Sequence, residues 1–380
     1  MIDLVFGLHL YQPPTQDRCT LERITRESYL PLTEVILSNE KAFFTIDITK
    51  SAIEELETLC SGQKFLKEFE KALDLRKISL VNTAAYHPIL PLITEEEIKR
   101  QVRLNETKLL QMFHQKPGGI FPPEMALDSK VINAFKKMGY QWTITDDVSF
   151  SSVYGSAPFD WIPKQNGINV FLRSNFWSTK IAFNSINGKA FAEALEKDLT
   201  NWFGNEDGYL VIWIDWETFG HHKKGYIESF VIPFLNRIET NEKIQMVSPK
   251  FLLEKYPSKE IEIPPGSWST STNDFRSGNY WPLWKNSNSQ FHQLWWELAD
   301  TILEIKRSIK DEETLEVFDK ALYSCQTWQY SMGNELLAIK GLEYFREIAS
   351  LKEVISLDGK TNQINQVVGK LEKLCQQNSG

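Results

Sequence analysis

Residues 119–147 open on Gly119-Ile120-Phe121-Pro122-Pro123-Glu124, pass through Asp128 to Val131, Ile132, Phe135 and Met138 at helical spacing, meet Gly139, and close on Trp142-Thr143-Ile144-Thr145-Asp146-Asp147. A short apolar run ending in a carboxylate is followed by a residue suited to cap a helix. One apolar helical face, a glycine stop and a second β-rich run come next. The stretch therefore predicts a strand, helix, strand unit, and the same grammar recurs on both sides of it. A second unit runs from Tyr209–Asp215 through the loop 216–225 into a helix with Phe230, Val231, Phe234, Leu235 and Ile238 on one face. Thr94-Glu95-Glu96-Glu97 starts a further helix in the manner of a capping box.

The candidate strands are Leu4–Leu10, Ala42–Asp47, Ile78–Thr83, Gly119–Glu124, Trp142–Asp147, Asn169–Ser174 and Tyr209–Asp215. Several are continuously apolar, as strands covered on both faces must be, and this predicts an α/β fold with a parallel sheet wrapped by helices. Seven such strands point to a barrel. Beyond Pro257 the pattern changes: Ile263-Pro264-Pro265-Gly266 punctuates the chain, and helical spacing dominates from there to the C-terminus. The expected organisation is a catalytic barrel over 1–262 and a helical C-terminal region over 263–380, whose aromatic first part folds back over the barrel mouth.

Composition narrows the function. The 380 residues are 42% apolar, enough to bury a large core. The net charge of −8 is not arranged in long like-charge runs, which argues against nucleic acid, because phosphate binding uses clustered Lys and Arg. No run approaches the roughly 20 apolar residues that span a bilayer. The start, Met1 to Leu10, reads as a buried strand and not as a signal peptide, and Cys19, Cys60, Cys325 and Cys375 form no close pair. A cytoplasmic protein without membrane or nucleic-acid partner is the expectation. The 12 Trp are about twice the usual share, and many stand beside Asp, Asn, Ser or Gly. Indole faces stack on sugar rings, although each Trp taken singly also suits a core.

In a barrel of parallel strands, a carboxylate at a strand's C-terminal end points into the face where such folds place their chemistry. Glu124 and Asp215 stand there, as do Asp47 and Asp147, and position alone does not separate them. Two carboxyl groups suffice to break a glycosidic bond when one protonates the leaving oxygen and the other supports charge at the anomeric carbon.

The motifs around them resemble those of glycoside hydrolase family 57. Phe121-Pro122-Pro123-Glu124-Met125-Ala126 is similar to the family's nucleophile motif. Ile214-Asp215-Trp216-Glu217-Thr218-Phe219-Gly220-His221 is similar to its acid/base motif. Leu8-His9-Leu10-Tyr11-Gln12-Pro13 resembles the opening His-x-His-Gln-Pro, and Ala85–Leu92 resembles a segment that carries a histidine after the third strand. The resemblance implies an incomplete seven-stranded parallel (β/α)7 barrel with a helical C-terminal region. It also implies a retaining enzyme on α-linked glucans, of α-amylase or 4-α-glucanotransferase type, with Glu124 as nucleophile and Asp215 as general acid/base, needing no cofactor or metal. His9, Tyr11, Gln12, His87, Arg173, Glu217 and His221 become candidate substrate-binding residues. Trp268, Asp274, Trp281 and Trp284 resemble the family's most variable motif, which closes the cleft.

One departure bears on specificity: Tyr11 stands where the family usually has its second opening histidine. Two alternatives stay open. A metal-dependent carbohydrate deacetylase would need about three clustered N or O ligands, whereas His221 and His222 are adjacent and His9 lacks a histidine two residues on. A non-catalytic glucan-binding or regulatory barrel would be expected to have lost one of the two acids.

Overall fold

A computed structural model describes residues 1–204 and 206–378. Its strands are β1 (Ile2–Leu10), β2 (Phe44–Ile48), β3 (Ile78–Val81), β4 (Gly119–Ile120), β5 (Trp142–Asp146), β6 (Ile162–Gln165), β7 (Ile168–Arg173), β8 (Gly208–Asp215), β9 (Ile244–Met246) and β10 (Ser258–Glu260). Seven of these, in the spatial order β3-β2-β1-β8-β7-β5-β4, run parallel. A single bridge between Asn82 and Ile120 joins β3 to β4. The opposite seam is almost as thin, because β7 and β8 share only the pair Arg173 and Val211. The result is the nearly closed α/β barrel that the strand pattern predicts.

Side-chain alternation divides the barrel wall. Along β1 and β8, Leu4, Phe6, Leu8, Leu210, Ile212 and Ile214 join the main core under the helices. Val5, Tyr209, Val211 and Trp213 join a second cluster with Phe121, Trp142, Ile144 and Phe171, which fills the lumen. Two glycines make room for two indoles there. A Cβ on Gly7 would lie 2.0 Å from the Trp213 ring, and one on Gly119 would lie 1.9 Å from that of Trp142. Both indoles are thereby seated beneath the barrel mouth.

The structure changes three details. Gly119–Glu124 is not one strand: the ladder stops at Ile120, because Pro122 and Pro123 lack the N–H a ladder needs, and Glu124 sits on a 3-10 turn beyond it. The strand β6 is antiparallel to β7 and was not foreseen, nor were the three-residue β9 and β10. Asn166-Gly167, both at positive φ, is the turn chemistry of a tight hairpin and was the readable signal for β6. The apolar face at 230–238 begins as a wider π turn, Ile227–Val231, and continues as the helix Ile232–Glu239, whose second residue, Pro233, has no N–H to donate.

Beyond Pro265 the described chain is helical, from the short helix Thr272–Arg276 to the long helix Lys360–Asn378. One hydrophobic cluster runs from the barrel's outer face into these helices, through Phe291, Trp295, Phe318 and Phe345. A buried charge cluster fastens them to the barrel helix Glu95–Phe113. Lys306 Nζ donates to both oxygens of Glu97 at 2.7 Å and to Asp319 Oδ1 at 2.5 Å, while Arg100 donates to Asp319 through Nε and a terminal nitrogen. Among the described residues no helix is long and apolar enough to cross a membrane.

Candidate active site

Strand register brings the first group together. His9 on β1 pairs with Asp47 on β2 and with Asp215 on β8, so three ionisable side chains meet at the C-terminal mouth. His9 Nδ1 lies 2.6 Å from Asp47 Oδ2, and Trp213 Nε1 donates to Asp47 Oδ1 at 3.1 Å. Burial opposes charge on His9, but the Asp47 carboxylate outweighs it and the imidazole is pushed up to about 9. His9 is thus a half-buried cation facing both Asp215 and Glu124.

This pair links stability to pH. Because His9 holds its proton more tightly folded than unfolded, its contribution is complete below pH 6.5 and is lost as pH rises through about 9. Thermal stability is expected to fall across that window, and Asp47→Asn to flatten the fall. An unchanged slope in calorimetric scans of the variant would refute the charged pair.

Glu124 is placed by its turn. Its backbone is left-handed, with φ 59° and ψ 17°, as is that of His87, with φ 59°. Such conformations are uncommon outside glycine and are held by their surroundings. Trp268 Nε1 donates to Glu124 Oε2 at 2.6 Å, and Ser324 Oγ donates to Oε1 at 3.1 Å. The same Ser324 hydroxyl lies 2.9 Å from His87 Nδ1, and its backbone N–H donates to the His87 carbonyl at 3.1 Å. Burial raises the Glu124 carboxyl above its ordinary value. The Trp268 donor, the His9 cation and the Ser324 hydroxyl pull it back, while the Asp215 charge adds to the rise. His87 is held neutral by burial and by the His9 charge, and its Nε2 is buried with no hydrogen-bond partner among the described residues. Tyr11 stacks on His87 with ring centroids 3.9 Å apart and 10° between planes.

Asp215, the last residue of β8, is exposed, whereas Glu124 keeps only 15% of its side chain in contact with solvent. Two residues on, Glu217 turns back into the protein, where it accepts from Gln12 Nε2 at 2.6 Å and from the Tyr29 hydroxyl. Burial, with the Asp215 charge adding, pushes Glu217 up to about 7. Arg173 donates to Asp146 at 2.7 Å and to the Trp213 carbonyl at 2.8 Å, which ties β7 to β5 and β8 across the thin seam. His221 Nδ1 lies 2.7 Å from Glu27 Oε2.

His9, His87, Glu124, Arg173, Asp215, Glu217 and His221 open into one cavity of about 410 Å³. Glu124 and Asp215 both line it, with aromatic surface from Trp268, Trp328 and the largely exposed Phe183. The volume lies within the range of small-molecule sites. Among the described residues no three His, Cys, Asp or Glu side chains are grouped so as to hold a metal.

Residues 8–264 match the family model described as glycosyl hydrolase family 57. The chain belongs to this family. It is 23% identical over 273 residues to an α-amylase of Pyrococcus horikoshii, and 21% identical over 282 residues to a 4-α-glucanotransferase of Thermococcus litoralis. Each alignment covers 70% of this chain but only 42% and 41% of the relative, so the chain spans less than half the length of either. Among solved structures, the Thermococcus litoralis 4-α-glucanotransferase superposes with a TM-score of 0.75 at 16% identity, covering 92% of this chain and 60% of that one. A family 57 branching enzyme from Pyrococcus horikoshii superposes with a TM-score of 0.74 at 16% identity, covering 96% and 94%. These superpositions concern the fold.

Of the residues picked out through the family 57 motifs, His9, Tyr11, Gln12, His87, Glu124, Arg173, Asp215, Glu217, His221 and Trp268 line the one cavity. Asp274, Trp281 and Trp284 do not. Trp284 is fully buried behind Trp268, with ring centroids 6.1 Å apart, and Trp281 packs in the same cluster. Asp274 closes a capping box with Ser271 at the start of its own short helix. These three shape the segment that carries Trp268 without reaching the cavity wall. The family 57 motifs also left out residues the site uses: Ser324, Cys325 and Trp328 enter from the helical region, and Asp47 from β2. Asp47 was legible as a strand-end carboxylate. Ser324 carried no local signal, being 200 residues from the Glu124 it contacts.

Proposed function

We propose that this chain is a retaining glycoside hydrolase or transglycosidase acting on α-linked glucans, with Glu124 as nucleophile and Asp215 as general acid/base. One observation carries the reading: the two family-motif carboxylates, 91 positions apart in the chain, face a single aromatic-walled cavity at the barrel mouth in different environments. Glu124 is fixed by two donors and a nearby cation, as a nucleophile should be. Asp215 is exposed at the open side, where a proton donor must meet a leaving group.

In the first step the Glu124 carboxylate attacks the anomeric carbon as the glycosidic C–O bond breaks, and the Asp215 proton passes to the departing oxygen. In the second, Asp215 takes a proton from water or from a sugar hydroxyl, whose oxygen attacks the anomeric carbon and releases Glu124. Water gives hydrolysis and a glucan hydroxyl gives transfer. The His9 cation supports the ionised form of Glu124. Neutral His87, with its unpartnered Nε2, is placed to hydrogen-bond a sugar hydroxyl. The expected location is cytoplasmic, and the barrel over 1–262 and helical region over 263–380 would act as one unit, since Ser324 and Trp268 complete the site from the second.

Incubation with maltoheptaose, followed by product mass and chromatography, tests the reading. Chains shorter than the input are expected from hydrolysis, and chains both shorter and longer from transfer, with or without a chelator. Binding without any change in chain length would sink it in favour of a glucan-binding barrel, and loss of turnover on chelation would favour metal-dependent chemistry.

Ser324 acts through Glu124 and is a positioning residue. Ser324→Ala is expected to lower kcat about tenfold, the scale of one hydrogen bond to a charged group. Because its hydroxyl holds the Glu124 carboxyl down, the acidic limb of the pH profile should also move upward. A lower kcat with an unmoved limb would leave Ser324 only a structural role.

A further inference from the structure

A second cavity, of about 470 Å³, lies away from the mouth, where β8 begins. Its wall includes Asp207, which precedes the first residue of β8, whereas Asp215 ends that strand, roughly 25 Å away along it. The loop 155–161 covers the thin seam between β7 and β8 here: the Phe159 carbonyl accepts from the Tyr209 N–H at 2.7 Å, a bond no strand ladder supplies.

The lining is unusual in kind. Trp202 is 63% exposed and Tyr154 is 42% exposed, and Trp161 adds a third ring. Each ring is held in place without a ligand. Trp202 is met edge-on by Phe159, at 5.5 Å and 82°; the Tyr154 hydroxyl donates to the Glu262 carbonyl at 2.9 Å; and Lys259 Nζ sits 4.6 Å over Trp161. Fixed rings cost little further ordering when something stacks on them. Beside them stand the Asp160 and Glu206 carboxylates, exposed and, among the described residues, in no ion pair or side-chain hydrogen bond. Their neighbour Asp207 is already engaged by the Met1 amino group and Lys255.

Apolar ring faces beside two carboxylate acceptors, with no Lys or Arg in the cavity lining, do not suit a phosphate or another anion. They suit a neutral chain that offers C–H faces to the rings and hydroxyl donors to the carboxylates. We infer that this cavity is a second glucan-binding site, which holds a segment of a long α-glucan away from the reaction centre. The inference rests on the proposed function for the identity of the sugar but not for the existence of the site. Its role is to keep polymeric substrate attached between turnovers, which a short oligosaccharide does not need.

The test compares wild type, Trp202→Ala and the double variant Asp160→Asn/Glu206→Gln. Retardation in gels containing amylopectin is measured in parallel with turnover of maltoheptaose. Wild type should be retarded, and each variant should show about tenfold weaker affinity for amylopectin at unchanged kcat/KM on maltoheptaose. Equal retardation of wild type and both variants, with turnover intact, overturns the site and leaves the catalytic reading standing. Retardation that depends on Trp202 in a protein that turns over no oligosaccharide supports the site and sinks the catalytic reading. Should Trp202→Ala abolish self-association while leaving retardation unchanged, the face belongs to a second copy of the chain and the inference fails.

Discussion

Glu124→Gln is expected to reduce turnover of maltoheptaose by about a thousandfold or more while leaving the fold intact. Under the proposed mechanism Glu124 is the covalent nucleophile, and removing such a group has consequences on that scale. The amide keeps the shape of the side chain and still accepts a hydrogen bond from Trp268, so affinity for the glucan should survive. A change at Asp215 should behave differently, since it slows proton transfer without removing the nucleophile. The two roles separate with an activated glycosyl fluoride and azide. For Glu124→Ala, azide would attack the α-linked donor directly and yield the inverted, β-glycosyl azide. For Asp215→Ala, azide would intercept the β-linked glycosyl-enzyme and yield the α-azide. The opposite pattern would exchange the assignments of the two acids, and equal small losses from both changes would remove them from the chemistry.

The second large effect lies far from the chemistry. Asp319→Ala is expected to cost about 3–5 kcal/mol of stability, because it removes the fully buried carboxylate shared by Lys306 and Arg100 and leaves the buried Lys306 ammonium with Glu97 as its one remaining partner among the described residues. Asp319 is fully buried, and Lys306 and Glu97 are nearly so. Burial also protects the cluster from screening, so the loss should persist in molar salt, where a surface pair would have faded. Chemical denaturation at low and high ionic strength measures both points. Loss of stability that vanishes in salt would show the cluster to be solvated. The same change should lower activity beyond its effect on folding, since Asp319 anchors the segment that delivers Ser324 to Glu124 five residues later.

That coupling explains what a reading of the chain alone reaches and where it stops. The barrel was legible because its strands are buried on both faces. Runs such as Leu4–Leu10 and Tyr209–Asp215 must be apolar nearly throughout, and that pattern is visible one residue at a time. The strand pair β6 and β10 escaped because Ile162-Pro163-Lys164-Gln165 and Ser258-Lys259-Glu260 carry no such run, although Asn166-Gly167 marked the hairpin. Glu124 stood out in the sequence as a candidate but was placed on a strand end: two prolines end the ladder and a left-handed turn carries the carboxylate beyond it.

The sequence by itself determined the layered α/β architecture and the family, and it offered the two carboxylate candidates with the residues beside them in local motifs, because hydrophobic period, capping residues and motif spacing are properties of neighbours along the chain. Only the tertiary structure decided which side chains share the cavity. Trp268 reaches it while Trp284, sixteen positions on, is sealed beneath. Ser324 joins from the far helical region, and His9 takes its charge from Asp47 on the adjacent strand. Those outcomes depend on strand register, on the packing of helices against the barrel and on burial, which bring distant residues within bonding distance and leave no periodic trace in the chain.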